Sequence, residues 1–170
     1  SFYLDDRSSG SLESNINKSW RLVSDQVMGG VSKGTLKPDE ISGKQCLRLQ
    51  GKVSTENNGG FLQLALDYEQ EGAVNPGDYR GIIIEVAGNN QSYNVHLRTR
   101  QLRFPWQSYR ASYFAGSDWQ TVTLPFSQFK AYKTSKLLDA STLERIGVVA
   151  IGRNFDADIC IEEIETFDED

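Results

Sequence analysis

Short segments in which apolar and polar residues alternate follow one another along most of the chain. Leu47, Leu49 and Val53 alternate with polar neighbours, and residues 61–66 and 93–98 show the same period of two. This period is typical of a β-strand with one buried face, because successive side chains of a strand point to opposite sides. Sequences rich in Gly, Asn and Asp favour turns between these segments, and they lie at residues 75–78, 88–90 and 115–118.

The remaining segments add further strands and one short helix. Asp139 is placed to cap a helical turn from Ala140 to about Arg145. Many short strands with almost no helix favour an all-β fold, an antiparallel β-sandwich of the jelly-roll type. The further strands are predicted at residues 82–86, 106–114, 119–124, 146–151 and 157–167.

The domain organisation is predicted to be simple. The chain has 170 residues, the size of one domain, and no linker or change of composition divides it. We therefore predict one β-sandwich domain over residues 1–170. Its two ends, Phe2–Leu4 and Ile161–Phe167, are expected to pair and close the edge of a sheet.

Charge and hydropathy exclude two classes of partner. The net charge is -5 and no run of basic residues occurs, which disfavours binding to nucleic acid. No apolar stretch approaches the ~20 residues that cross a bilayer, so no direct membrane insertion is expected. These observations favour a soluble protein, with the cytoplasm as the expected compartment.

The two cysteines, Cys46 and Cys160, lie far apart in sequence, each in a predicted strand. Two free thiols are the favoured interpretation. The alternative is a disulfide, which requires the two strands to be neighbours and the compartment to be oxidising.

No metal or other cofactor is expected. The cysteines form no CxxC pair, which disfavours a zinc site or a thioredoxin-like redox motif. A structural calcium ion bound by carboxylates near the chain ends is the alternative, with ordinary surface charge favoured. The carboxylates concerned are Asp5, Asp6, Asp156 and Asp158.

Catalytic motifs are absent from the sequence. His96 is the only histidine, and no nucleophile elbow, phosphate-binding GxxxxGK[ST] or dinucleotide-binding GxGxxG motif occurs. Two carboxylates that converge in space, as in glycoside hydrolases, remain an open alternative. We therefore predict a protein that is not an enzyme.

Two glycine-rich polar segments are the most distinctive part of the sequence. They are Ser24–Ser32, which contains Asp25, and Glu56–Phe61, which contains Asn57 and Asn58. As structure, their side chains cap loop amides and their glycine pairs permit tight turns. As function, they line a binding surface, because loops on a rigid sandwich often carry binding residues. Asp25, Asn57 and Asn58 are therefore candidate binding residues.

A polar sheet face supplies the other candidates. Asn94, His96 and Arg98 alternate along one predicted strand and are expected to form a row. The next strand contributes Trp106, Tyr109 and Arg110, and aromatic rings beside planar polar groups suit the recognition of sugars. The large aromatic residues expected in the core are Trp20, Trp119, Phe126 and Phe129.

The order of these motifs resembles the complex I intermediate-associated protein 30 family. The resemblance implies a jelly-roll β-sandwich similar to galactose-binding-like domains and carbohydrate-binding modules. It also implies a role like that of mitochondrial members, which assist the assembly of respiratory complex I. The residues that carry it are 20–25 leading into 27–32, 51–54 leading into 56–61, Arg98-Thr99, Tyr109-Arg110-Ala111, and 119–126 with Phe129.

Two functions follow as predictions. The first is a non-catalytic binding or assembly-factor module that presents the polar face and the Gly/Asn loops to a protein partner, such as a subunit of a respiratory or other membrane complex. The alternative is a carbohydrate-binding module in which Trp106 or Tyr109 stacks on a sugar ring. A grooved face lined by exposed aromatic rings favours the glycan, whereas a flat apolar patch favours the protein partner.

Overall fold

A computed structural model of the protein describes residues 2–69 and 74–168, and its regular structure in these ranges is almost entirely β. The strands are β1 (Phe2–Asp5), β2 (Arg21–Ser24), β3 (Lys33–Ile41), β4 (Lys44–Val53), β5 (Phe61–Asp67), β6 (Gly81–Ala87), β7 (Gln91–Thr99), β8 (Ser108–Ala115), β9 (Gln120–Pro125), β10 (Lys130–Tyr132), β11 (Leu143–Ile151) and β12 (Phe155–Phe167). Short 3₁₀ turns cover Asp25–Met28, Glu56–Asn58, Pro76–Asp78, Phe126–Gln128 and Ala140–Thr142. The predicted all-β fold is confirmed.

Two antiparallel six-stranded sheets form the sandwich. Sheet A has the order β3-β4-β12-β6-β9, with β1 also paired to β12. Sheet B has the order β10-β8-β7-β11-β5-β2. The predicted pairing of the chain ends is confirmed, since Phe2 lies opposite Thr166. This pairing covers one flank of the long strand β12.

The core lies between the sheets and follows the alternation in the sequence. In β7, Tyr93, Val95 and Leu97 are buried in this core, so the intervening residues face away from it. Trp20 and Phe129 are buried in the same core, as predicted. The outer face of sheet B is consequently free to carry polar side chains from several strands.

The predicted helix at Asp139 is shorter than expected. Asp139 accepts a hydrogen bond from the amide of Ser141 and caps a 3₁₀ turn that ends at Thr142. Leu143, which is buried, already belongs to β11 because pairing with β7 begins there. Within residues 2–69 and 74–168, no helix combines the length and apolar character needed to cross a membrane.

Trp119 and Phe126 are both partly buried. Phe126 packs against the core as predicted, whereas Trp119 lies outside it, so its prediction as a core ring is wrong. The Trp119 ring precedes the edge strand β9, and its Nε1 donates to the carbonyl of Ile41 at 3.0 Å. The ammonium of Lys44 lies 5.4 Å from the centre of this ring. An edge position leaves one side of such a ring exposed to solvent.

The prediction of two free thiols is wrong, because Cys46 and Cys160 form a disulfide. Their strands β4 and β12 are neighbours in sheet A, with Ile161 opposite Leu47, and the two Cα atoms are 5.5 Å apart. Both cysteines are fully buried. Only the long-range pairing of the two strands brings these residues together.

Candidate functional site

A groove of about 630 Å³ crosses the outer face of sheet B. It runs from β2 and the Asp25–Met28 turn, over β5, β11 and β7, to β8 and β10. Among the residues that line it are Asn58, His96, Arg98, Trp106 and Arg110, which the sequence singles out. The other side chains and glycines of the lining are Val23, Val27, Met28, Gly59, Gly60, Phe61, Gln63, Pro105, Ser108, Tyr132, Arg145, Val149, Ile151 and Gly152.

Asp25 lies beneath one end of the groove and is completely buried, so it does not face a ligand. Its carboxylate accepts hydrogen bonds from the amides of Ser32, Gly60 and Phe61 and from the Ser32 hydroxyl. Burial acts to raise the pKa of this carboxyl, but the hydrogen bonds outweigh it and lower the pKa. The functional interpretation of Asp25 as a contact residue is therefore corrected: the side chain joins the two glycine-rich segments to each other.

The glycine pairs fit around this carboxylate. A Cβ atom on Gly30 would lie 2.4 Å from the Asp25 carboxyl carbon, and one on Gly59 would lie 2.6 Å from an Asp25 oxygen. Gly29 and Gly60 have positive φ angles of 87° and 125°, which L side chains rarely adopt. In each pair, one glycine lies too close to Asp25 to carry a side chain and the other has a left-handed backbone. We call Asp25 together with these two glycine pairs the Asp25 clasp.

The two asparagines of the second glycine segment lie at the surface above the clasp. Asn57 and Asn58 both have positive φ angles, of 56° and 60°. Asn57 Nδ2 donates to the carbonyl of Gly29 at 3.3 Å, which links the tips of the two loops. Asn58 alone of the two lines the groove.

His96 and Asn94 form a polar pair on β7. The Asn94 carbonyl oxygen accepts from the Ser112 hydroxyl at 2.7 Å, and its amide nitrogen lies 3.2 Å from His96 Nε2. Because the amide nitrogen can only donate, His96 Nε2 accepts and the neutral ring carries its proton on Nδ1. Burial, with a smaller contribution from the charge of Arg110, lowers the pKa of His96 to about 3. The ring is therefore neutral at physiological pH, and Asn94 positions it without lining the groove itself.

Arg98 fastens the loop that carries Trp106. Its Nη1 donates to the carbonyls of Phe104 at 2.8 Å and Gln107 at 2.9 Å. The Gln107 side-chain oxygen accepts from the amides of Arg103 and Phe104, which closes the same loop from inside. The loop is thus ordered before any ligand arrives.

Trp106 is the exposed ring of this loop, with 57% of its surface accessible. It stacks on Phe104 with the ring centres 4.7 Å apart and the planes within 4°. The residue precedes β8, which begins at Ser108 rather than at the predicted 106. A flat apolar ring is therefore held at the side of the groove in a fixed orientation.

Arg110 and Tyr132 also line the groove, on β8 and β10. The guanidinium carbon of Arg110 lies 3.6 Å from the centre of the Tyr132 ring, and Arg110 Nε donates to the Ser108 hydroxyl at 2.8 Å. Tyr109 points the opposite way: it is buried in the core, and its hydroxyl donates to the carbonyl of Lys136 at 3.0 Å. Tyr109 is thus corrected from a candidate stacking ring to a core residue, because strand alternation places it inside.

Several lining residues escaped the sequence analysis. Tyr132 lies on a three-residue edge strand, which has no detectable period. Gln63 lies on β5, and Val149 and Ile151 lie on β11. Because both strands are apolar at most positions, the sequence does not indicate which set of alternate side chains faces outward. Gly147 is a sequence feature that could have indicated this face. A Cβ atom at this position would clash with the Gln63 side chain, which occupies the space above the glycine.

Two of the four carboxylates considered for calcium have other partners. Asp5 pairs with Arg7 and accepts from Trp20 Nε1, while Asp158 pairs with Arg48 at 2.8 Å. Within the described ranges, no cluster of three or more His, Cys, Asp or Glu residues is arranged to hold a metal ion.

Comparisons with known proteins identify the family. A sequence profile described as Complex I intermediate-associated protein 30 (CIA30) matches residues 11–158. The chain belongs to this family. The match confirms the resemblance seen in the sequence, and the Asp25 clasp and the groove residues of this CIA30 domain all lie within it. No curated protein matches the chain significantly.

Several solved structures similar to this CIA30 domain are carbohydrate-binding modules. A family 11 module from Clostridium thermocellum in complex with a β-1,3-1,4-mixed-linked tetrasaccharide has a TM-score of 0.75 and 14% identity, over 98% of this chain and 95% of that one. The family 30 module of a cellulosomal cellulase from the same organism has a TM-score of 0.62 and 14% identity, over 94% and 97%. At this identity the likeness establishes the jelly-roll fold alone.

Proposed function

We propose that this protein is a non-catalytic module that binds a polysaccharide chain in the groove of sheet B. The observation that carries the proposal is the groove itself, which is lined by the exposed Trp106 ring and by the Tyr132 ring. Sugar rings present apolar faces to aromatic rings and hydroxyl groups to planar polar side chains. Gln63, Asn58 and His96 supply such polar groups along the groove.

The groove is open and runs across the strands, which suits an extended chain. Its rims are ordered before binding, by Arg98 at the Trp106 loop and by the Asp25 clasp at the other end. Order of this kind reduces the conformational entropy lost on binding. The tetrasaccharide carried by the family 11 module, a protein of the same fold, supports a glycan as the class of ligand.

The composition of the lining supports a binding role without catalysis. Asp, Glu and Cys are missing from the described residues that line the groove. Glycoside hydrolysis usually requires a pair of carboxylates beside the scissile bond. The one histidine, held neutral by its lowered pKa, accepts from Asn94 and has no carboxylate partner to orient it in the described part of the chain.

The buried disulfide supports an oxidising compartment in place of the cytoplasm expected from the sequence. Disulfides persist in secreted, periplasmic and cell-surface proteins and are rare where thiols are kept reduced. Polysaccharides of cell walls and extracellular matrices occur in the same surroundings. The Cys46–Cys160 bond therefore agrees with a glycan ligand.

A protein partner is the second candidate. Val27 and Met28, on the turn at the groove rim, are 79% and 58% exposed, and apolar side chains of this kind suit contact with another protein. The family description also names intermediates of complex I. If this alternative holds, the wild-type protein binds no polysaccharide but copurifies with complex I intermediates. The double variant Val27→Asp, Met28→Asp then abolishes this copurification.

Affinity electrophoresis and calorimetry on a panel of soluble polysaccharides test the proposal. Trp106→Ala is expected to weaken binding roughly tenfold or more, equivalent to about 1.4 kcal/mol, with an unchanged melting temperature. Arg98→Ala is expected to weaken it similarly, because the loop loses its two anchoring hydrogen bonds. The matched control is Phe114→Ala, which removes a 57% exposed ring of β8 that does not line the groove. Failure of every polysaccharide to bind, or equal binding by Trp106→Ala, contradicts the proposal.

A further inference from the structure

The groove is basic although the protein is acidic. Three arginines line it, Arg98, Arg110 and Arg145, and no Asp or Glu is among the described residues of the lining. The chain as a whole has a net charge of -5. A local excess of the opposite sign focuses the electrostatic potential within a cleft and attracts ligands of complementary charge.

Two of the three arginines form ion pairs with acids beside the groove. Arg145 Nε donates to an Asp67 oxygen at 3.0 Å, and Arg98 Nε lies 3.4 Å from a Glu144 oxygen. Nη1 of Arg98 donates to two loop carbonyls, as described above. These two side chains therefore contribute more to the shape of the groove than to its net charge.

Arg110 differs from both. It forms no ion pair with a carboxylate within 4.0 Å in the described parts of the chain, where its hydrogen-bond partner is the Ser108 hydroxyl. Its guanidinium stacks on the Tyr132 ring at 3.6 Å, which fixes the plane of the fork but leaves its charge uncompensated. Burial lowers the pKa of Arg110, as expected for a cation without an anionic partner.

The neighbours of Arg110 across the sheet do not supply an anion. His96 lies directly opposite on β7 and is neutral, and Lys130 lies opposite on β10 and is itself a cation. A ligand that covers this position with neutral groups would remove water from the guanidinium without replacing its interactions, which is unfavourable. A carboxylate or sulfate would instead form charge-assisted, bidentate hydrogen bonds with the fixed fork.

We infer that the groove takes an acidic polysaccharide, with a carboxylate or sulfate group of the chain bound at Arg110 and a neighbouring sugar ring stacked on Trp106. This inference rests on the proposed glycan-binding function and names the class of glycan. An acidic peptide and single-stranded nucleic acid also carry anions. The sugar is favoured because the aromatic and amide groups along the groove suit hydroxylated rings.

The test compares acidic and neutral polymers on the same protein by calorimetry. Polygalacturonate and alginate supply carboxylates, carrageenan supplies sulfates, and mixed-linkage β-glucan and hydroxyethyl cellulose are neutral. We expect at least one acidic polymer to bind roughly tenfold or more tightly than the neutral ones, with an affinity that falls as salt is added. Whether the carboxylated or the sulfated polymers bind distinguishes the two sources of the anion.

Variants locate the site. Arg110→Gln is expected to reduce binding of the acidic polymer roughly tenfold or more, and to reduce the preference for acidic over neutral polymers by at least the same factor. Arg110→Lys retains the charge without the bidentate fork. Its affinity for the acidic polymer is expected to lie between those of the wild type and Arg110→Gln. Lys52→Gln, which removes one exposed positive charge from sheet A, controls for net charge and is expected to bind like the wild type. Circular dichroism melting confirms that each variant is folded.

Each outcome separates this inference from the proposed function. If neutral glucan binds as tightly as the acidic polymers and Arg110→Gln changes nothing, the groove is a neutral-glycan site and the inference is overturned while the proposed function stands. If no polysaccharide binds, both fall together. Equal binding of polyglutamate or single-stranded DNA through Arg110 shows a general polyanion site and also overturns the choice of sugar.

Discussion

The outer faces of sheets A and B both carry arginine side chains among neighbouring strands, but the surroundings of those side chains differ. On sheet A, Arg48 donates to Asp158 at 2.9 and 2.8 Å and to Asp39 at 3.1 Å. On sheet B, Arg110 rests against an aromatic ring and a hydroxyl. Hydrogen bonds to Asp158 and Asp39 raise the pKa of Arg48, whereas burial lowers that of Arg110.

The difference separates a face on which the arginine is paired with carboxylates from a face on which it is stacked on a ring. Also on sheet A, Lys44 lies near Glu85 and Glu162, at 3.8 and 3.4 Å. Sheet A additionally contains the disulfide that links β4 to β12. Sheet B instead combines an uncompensated cation with an exposed ring. Stability is therefore expected to depend on sheet A and the Asp25 clasp, and affinity on the groove of sheet B.

The largest expected effect on stability comes from the disulfide of sheet A. The bond spans 114 residues, and the chain-entropy model assigns about 5 kcal/mol to a loop of this length. Replacement of both cysteines by alanine, or reduction with dithiothreitol, is expected to lower the free energy of unfolding by about that amount, measured by urea denaturation. Glycan affinity at 25 °C is expected to stay unchanged, because the groove lies on the other sheet. A parallel loss of affinity in the folded variant would show that the two faces are not independent.

The Asp25 clasp is expected to give the next largest effect. Asp25→Ala leaves the buried amides of Ser32, Gly60 and Phe61 without their acceptor, at a cost of about 3 kcal/mol in the free energy of unfolding. The variant is also expected to lose affinity even at temperatures where it is folded, because the clasp shapes one rim of the groove. Ser32→Ala, which removes one donor and leaves the carboxylate in place, is the milder control at about 1 kcal/mol. A thermal melt of Asp25→Ala that matches the wild type would contradict the clasp.

His96 gives a smaller, pH-dependent effect on sheet B. Its pKa is about 3 in the folded protein and about 6.5 in an unfolded chain, so the unfolded state binds more protons as the pH falls. The contribution of His96 to the free energy of unfolding is therefore fully present above pH 6.5 and decreases below it. About 2 kcal/mol of this contribution is lost at pH 5. His96→Gln is expected to flatten this part of the stability–pH curve.

Nuclear magnetic resonance checks the same point directly, since the chain has a single histidine. The ring signals are expected to stay constant between about pH 8 and pH 4.5, because the folded pKa lies far below this range. A titration midpoint near pH 6.5 would mean that the ring is solvated. The proposed hydrogen bond from Asn94 would then not hold it neutral.

The alternation of residues predicted the strands and their faces well. In β7 it placed Tyr93, Val95 and Leu97 inside and Asn94, His96 and Arg98 outside, because a strand has only two faces and one of them was apolar. The same rule explains the error at Tyr109. An aromatic residue between Ser108 and Arg110 was considered for binding by its chemistry, although its position in the alternation places it in the core.

Other features depend on residues that are distant in sequence. The disulfide requires β4 beside β12, and the cation stack requires β10 beside β8, neither of which any local pattern specifies. The role of Arg98 is a further example. The alternation of residues placed it on the outer face of β7, but its partners are carbonyls of a loop, and alternation does not specify the path of a loop. Because every residue has a backbone carbonyl, the sequence does not reveal which residue will accept such a hydrogen bond.

The amino-acid sequence alone determined the class of fold, the family and the two glycine segments, since these follow from short-range periodicity and from residues needed for particular backbone angles. Tertiary structure alone decided that those segments close around Asp25, that Cys46 meets Cys160, and that Arg110 stacks on Tyr132 at the groove, with no carboxylate partner among residues 2–69 and 74–168. The physical reason is that charge compensation and close packing depend on which strands become neighbours, and strand pairing joins residues up to a hundred or more positions apart.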